Sequence, residues 1–386
     1  MKESVPYPSI DTPSILLNLN QWETNIQEMT HLAREAGVRL RPHIKMHECG
    51  MLAKMQIQAG ACGIEVGNVA QAELMASEGI NDIVVAHPFY GARKFEAFQR
   101  LLSKPGLKLG VVVDMFEQAE ELSKIGQFVG KKIPVLIKLD TGVNRYGVLP
   151  GISLLDLARQ VQRLPGIEIA GIYAHESGAV PTDEGVAKAA LETGSIMAEM
   201  ARMLRAQGIA VPEVTVGASP TFRGTCRYIR EGLLKEITEI HPGACAVGDL
   251  MYVKSHGNTR AACALTVLTT VVSTSHPGHV IIDAGYKTFG KDSLIEWRDN
   301  PGFFWNGYPS FGSVQGRPDL WLGKLGAESG WLFYKEPDSK RLYLGDRLEI
   351  VPNNATLVMN IHDEIYGVRE GAIEKEIPVT GRGRGS

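Results

Sequence analysis

Over residues 14–216 the chain alternates short apolar runs with longer segments whose apolar residues recur at helical spacing. The runs are Ser14–Leu19, Arg39–Pro42, Gly63–Val66, Asp82–Ala86, Lys108–Val113, Val135–Leu139, Glu168–Tyr173 and Glu213–Val216. Gln21–Gly37 and Ile152–Leu164 exemplify the helical segments between them. Gly79 and Pro165-Gly166 punctuate the joins. Strand–helix alternation repeated about eight times points to a parallel (β/α)8 barrel. A doubly wound open sheet is the competing arrangement, but no glycine-rich dinucleotide fingerprint follows the first run.

Near Ile240 the texture changes. Leu250–Val253, Ala262–Ser273, Val280–Asp283, Arg341–Leu344, Arg347–Val351, Ala355–Asn360 and Glu364–Val368 read as β runs, separated by Gly, Pro, Asn and Asp. A block of this kind reads as a separate, mainly antiparallel β domain. The division expected is therefore a barrel over 12–249 and a β domain over 250–380 together with 1–11. Trp297–Trp321, rich in aromatics, Gly and Pro, reads as a long ordered loop, and Gly381–Ser386 as a frayed end.

With 44% hydrophobic and 22% charged residues, the 386-residue chain has an ordinary globular composition. A net charge of −3 gives no electrostatic case for nucleic acid or an anionic membrane. No apolar run approaches the ~20 residues of a membrane span, and the Pro-rich start MKESVPYPSIDTPS is no signal peptide. Cys49, Cys62, Cys226, Cys245 and Cys263 form no CxxC pair, which points to reduced thiols and a cytoplasmic setting.

Chemistry concentrates first at Arg41-Pro42-His43-Ile44-Lys45-Met46-His47. Lys45 is placed to end a second barrel strand, where catalytic residues of such barrels collect. A lysine there can form a Schiff base with an aldehyde, most often pyridoxal phosphate. The plain alternative is a surface lysine after a strand. Gly217-Ala218-Ser219-Pro220-Thr221 follows a late barrel strand. Small residues let backbone N–H groups approach a phosphate, and Ser219 and Thr221 add hydroxyls. An ordinary β-turn fits the same string.

Several strings together resemble one family. They are Pro42–His47, Asp140-Thr141-Gly142-Val143-Asn144-Arg145-Tyr146-Gly147-Val148, Gly171-Ile172-Tyr173-Ala174-His175, Gly217–Thr221, His241-Pro242-Gly243, Asp283–Lys287 and Gly345-Asp346-Arg347. The chain resembles the D-threonine aldolase and D-serine dehydratase group of alanine-racemase-type, fold type III enzymes over nearly its whole length. The resemblance implies pyridoxal 5'-phosphate held on Lys45, which also serves as base at the substrate α-carbon. It sets Arg145 against the phenolic oxygen of the cofactor, and Gly217, Ala218, Ser219 and Thr221 around its phosphate. Tyr173 and His175 come into the same site; His175 lies near the ring face or relays protons, unless it is a hydrogen-bonded structural histidine.

The sequence departs from that family around one feature. Metal-dependent members take two ligands from a Pro-x-His-x-Cys or Pro-x-His-x-Asp string, and here it reads Pro352-Asn353-Asn354-Ala355-Thr356. Amide and hydroxyl groups are poor ligands for zinc or manganese. His362-Asp363 follows, and reads as structural. The family's Glu-Glu-His-Gly is Ala327-Glu328-Ser329-Gly330, and Cys245 replaces a frequent tyrosine. No divalent metal is expected at that site. The resemblance implies a lyase, an aldolase or dehydratase acting on a D- or 3-hydroxy amino acid. The lost ligands leave open a metal-independent racemase or epimerase, and a non-catalytic cofactor-binding homologue is a further alternative. Retention of the β domain beside a full barrel implies a homodimer.

Overall fold

A computed structural model describes residues 6–176, 182–255, 263–292 and 303–385. They fall into two units. One holds 26–176, 182–245, 255 and 384–385; the other holds 6–25, 246–254, 263–292 and 303–383.

Strand β1 (Ser14–Asn18) belongs to the second unit. Strands β2 (Arg39–Leu40), β3 (Ile64–Val66), β4 (Asp82–Val85), β5 (Lys108–Val113), β6 (Ile133–Leu139), β7 (Ile167–His175), β8 (Glu213–Gly217) and β9 (Glu239–Ile240) make one sheet. The order is β2-β9-β8-β7-β6-β5-β4-β3, and every pairing is parallel. A parallel bridge from His43 to Glu65 joins the two ends, so the sheet curls on itself as a (β/α)8 barrel. Strand β7 lies so close to β8 that a Cβ on Gly171 would run into the carbonyl of Glu213. Near the amino ends of the strands Arg41 pairs with Glu239 at 3.1 Å and Asp82 at 2.5 Å, while Arg39 reaches Glu213 at 2.8 Å and Glu239 at 3.1 Å.

The barrel differs from expectation at its ends. Ser14–Leu19 is not its first strand: β1 pairs antiparallel with residues 265–268 and in parallel with 366–368. Ile15, Leu16 and Leu17 are buried, and an apolar run buried on both faces reads alike in either sheet. The barrel is completed instead by β9, whose two residues are too short to show a period. Lys45 therefore follows the first barrel strand, not the second.

In the second unit β10 (Leu265–Ser273), β11 (His279–Ile282), β14 (Gly312–Val314), β15 (Leu320–Leu325), β16 (Gly330–Tyr334), β17 (Arg347–Pro352), β18 (Glu364–Arg369) and β19 (Ala372–Pro378) join β1 in one sheet, and β12 (Phe304–Trp305) pairs with β13 (Tyr308–Pro309) apart from it. All pairings except β1–β18 are antiparallel. Two expected strands are helices, Leu250–Ser255 and Ala355–Ile361. Each starts on a side-chain cap: Asp249 Oδ1 accepts from Tyr252 N at 2.7 Å, and Asn354 Oδ1 from Leu357 N at 3.3 Å. Over so few residues periodicity does not separate helix from strand. Arg341–Leu344 is also not a strand; Asp346 Oδ2 accepts from Tyr343 N and holds a turn there. The aromatic stretch carries β12, β13 and β14 rather than one loop, and its first residues, 297–302, lie outside the described ones. At the far end Asn68 Nδ2 donates to the Arg384 carbonyl at 2.8 Å, so the described tail is anchored. Among the described residues no helix is long and apolar enough to cross a membrane.

Candidate active site

The carboxyl ends of the barrel strands surround a cavity of about 280 Å³. Lys45 lines it from the short turn Ile44–Met46 that follows β2. His43 caps this turn, its Nδ1 accepting from Lys45 N at 3.2 Å. An accepting Nδ1 leaves the proton on Nε2. That Nε2 is buried without a partner, and burial holds the His43 pKa well below its usual range.

Arg145 lines the cavity from the loop Asp140–Val148 after β6. The string is built to make this loop tight. Asp140 Oδ1 accepts from Gly142 N at 2.9 Å and Asn144 N at 3.2 Å, and Val148 N returns to the Lys138 carbonyl at 2.8 Å. Gly147 has a φ of 122°, its N–H bonds Asp114 Oδ2, and a Cβ would meet Asp140 N at 2.6 Å. The Arg145 guanidinium lies 4.4 Å from the Tyr146 ring centroid.

Another part of the lining is a buried polar stack. Tyr173 lies on His241, centroids 4.2 Å apart and planes 7° from parallel. The Tyr173 hydroxyl donates to Glu65 Oε2 at 3.3 Å, and His241 Nδ1 lies 3.0 Å from Thr215 Oγ1, leaving Nε2 without a partner. Burial raises the Glu65 carboxyl well above its normal range and lowers His241 well below its own. Lys138, on β6, sets its ammonium 4.3 Å from the Tyr173 centroid and 4.7 Å from that of Tyr146. Burial pushes its pKa down to about 7; Glu65 opposes this, and Arg145 and Lys45 reinforce it. His87 and His175 complete the ring of imidazoles, lowered by burial to about 4 and about 3.

Ala218, Ser219 and Thr221 line the cavity after β8. Gly217 is set back from it: a Cβ there would stand 2.5 Å from His241 Cδ2, so packing on that ring demands the glycine. Ser219 Oγ accepts from Gly243 N and Cys245 N, at 3.0 and 3.2 Å. Thr221 directs its hydroxyl at Glu176, another lining residue. Thus Lys45, Arg145, Tyr173, His175, Ala218, Ser219 and Thr221 are brought together. Sequence reasoning missed His43, His87, Lys138, Glu176 and His241 as lining residues, together with Glu65 beneath Tyr173. Each sits in or just beyond a strand's carboxyl end, and a polar residue at that position was the available signal.

Residues 17–250 match the model of the alanine racemase N-terminal domain, and 264–368 that of a putative serine dehydratase domain. The chain belongs to the alanine-racemase-type, fold type III family, within its D-threonine aldolase and D-serine dehydratase group. It is 30% identical to D-threonine aldolase of Arthrobacter sp., covering 98% of this chain and 94% of that one. It is 30% identical to D-threo-3-hydroxyaspartate dehydratase of Delftia sp., over 90% and 91%. The crystal structure of D-threonine aldolase from Filomicrobium marinum superposes with a TM-score of 0.86 at 27% identity, over 99% of this chain and 98% of that one.

Lys138 yields a test. Its amine is lowered in the folded chain, so the unfolded chain binds more protons between about pH 7 and 10.5 and stability rises with pH across that window. Urea denaturation at stepped pH should show that rise, and Lys138→Met should remove it. An unchanged slope in the variant would show that Lys138 titrates normally.

Proposed function

We propose that this protein is a pyridoxal-phosphate-dependent lyase that cleaves or dehydrates a D-configured 3-hydroxy amino acid, with aldol cleavage favoured. The observation that carries the reading is the convergence of Lys45, Arg145, His175 and the Ala218–Thr221 turn on one cavity. Two buried imidazole nitrogens without partners, His43 Nε2 and His241 Nε2, fit a site that receives a polar ring. When bound, the cofactor withdraws electrons from the substrate α-carbon.

The chain's own residues divide the remaining work. Lys45 would hold the cofactor and move the proton at the substrate α-carbon. Arg145 would offer a fixed cation to the phenolic oxygen of the cofactor. Backbone N–H groups after β8, at the amino end of the helix Phe222–Arg230, would hold the phosphate. Burial keeps His175 neutral, which suits a proton acceptor at the substrate β-hydroxyl better than an acid for departing hydroxide. That is the reason to place aldol cleavage before dehydration.

No step is assigned to a divalent metal. Asn354 Oδ1 accepts from Leu357 N, and its Nδ2 donates to Asp292 Oδ2 at 3.0 Å, so its amide serves the helix it caps. Neither this amide nor the Thr356 hydroxyl suits zinc or manganese. This donor set also favours a second reading, racemisation or epimerisation, which needs only proton exchange.

The purified protein should be yellow, borohydride reduction should fix the cofactor on Lys45, found by peptide mapping, and Lys45→Ala should abolish turnover even where cofactor remains bound. An adduct on Lys138 would overturn the assignment. D-threonine, D-serine and the 3-hydroxyaspartate isomers should be offered next, with products resolved by chiral chromatography. Aldehyde and glycine are expected, unaffected by exhaustive chelator dialysis. Ketoacid would move the protein to the dehydratase branch, an inverted amino acid to the racemase reading, and activity restored by one specific metal would overturn the metal-free site. Retention of the β domain supports a homodimer, and light scattering that showed an active monomer would refute it.

A further inference from the structure

Glu176 has no part in the reading above, yet it lines the same cavity. It follows β7 directly and is 4% exposed. Its carboxylate accepts from the Thr221 hydroxyl, from the Thr225 hydroxyl at 2.8 Å and from the backbone at Ala218. These donors converge at the amino end of the helix Phe222–Arg230, where the helix dipole favours an anion. They are the donors a cofactor phosphate would need. The cavity also presents His241 Nε2, buried and without a partner, so a ligand is called for beside them. A carboxylate and a phosphate dianion cannot share one set of donors, and at such range their charges repel strongly.

We propose that Glu176 is the resident anion of this cradle, and that a phosphorylated cofactor loads in competition with its carboxylate, freely only once the carboxyl has taken up a proton. The inference rests on the cavity being the cofactor site. Burial drives the carboxyl up to about 7, against the hydrogen bonds that pull it down, so the competition changes near neutrality. Of the other titratable groups nearby, His175 lies on the same strand at about 3, and the thiols of Cys226 and Cys245 stand at about 12. These three do not titrate between pH 6.5 and 8.5. Lys138, at about 7, does, and it is common to the proteins compared below.

The test is binding of pyridoxamine 5'-phosphate to the full-length chain freed of cofactor, by equilibrium dialysis from pH 6 to 8.5. This probe has no aldehyde, so covalent capture by Lys45 does not enter. Wild type and Glu176→Gln should bind alike at pH 6. Above pH 7 the neutral fraction of a carboxyl with that pKa falls about tenfold per unit, so at pH 8 the variant should bind on the order of tenfold more tightly. Glu176→Ala should behave as Glu176→Gln does, and serves if the latter does not fold. Parallel curves for wild type and variant would overturn the proposal, as would a wild-type affinity that stays level or rises between pH 6.5 and 8.5. Failure of the folded proteins to bind the probe at any pH would instead remove the cofactor reading itself, and this inference with it.

Discussion

The barrel depends on one buried carboxylate, Glu239. It lies on β9, a strand of two residues that contributes two ladder positions to each neighbour. So short a ladder is weak closure for a sheet. Glu239 supplements it by accepting from both Arg39, which opens β2, and Arg41, which follows it, while Arg41 continues to Asp82 on β4. The side chains of Arg41 and Glu239 are 8% and 1% exposed. Breaking a buried pair of this kind by removing one partner costs about 3–5 kcal/mol. Lys45 follows β2 and His241 follows β9, so the ion layer at the start of these adjacent strands fixes the spacing of two groups that line the cavity above.

Much of the barrel was legible because its strands are apolar runs spaced by amphipathic helices, and β3 to β8 fall where the runs lie. The misses have physical causes. β1 is apolar throughout, which does not say which sheet buries it. β9 is too short to show a period. The helices after Asp249 and Asn354 are announced by caps that were not weighed. In the site, Lys45, Arg145 and His175 stood out because the motifs around them are distinctive. Lys138 and Glu65 did not, since an ionisable residue inside a strand reads as one polar position among apolar ones. Only the closed sheet turns them toward a common interior.

The cavity's electrostatics follow first from burial and then from the cations crowded into it. Burial lowers His175 most, and Lys45, Arg145 and Lys138 add to the effect. The imidazoles consequently serve as neutral donors, acceptors and stacking faces rather than as charges. The Asp140–Val148 loop shows how the positive groups are held: it is fastened to its own Asp140 and to Asp114, so Arg145 is presented by a rigid turn.

The placement of β1 also bears on how the chain comes into being. A polypeptide emerges from its amino end, and Ile15-Leu16-Leu17 is made early. Its lateral partners are not: Leu16 pairs with Thr266 on one side and Tyr366 on the other. The barrel strands, all between residues 39 and 240, are complete before either partner exists. The first apolar strand must therefore wait, unpaired, while the whole barrel is synthesised, and contacts this distant in sequence close slowly. Until Tyr366 emerges, an open strand edge hangs from the nascent chain, the kind of surface that invites pairing with another molecule.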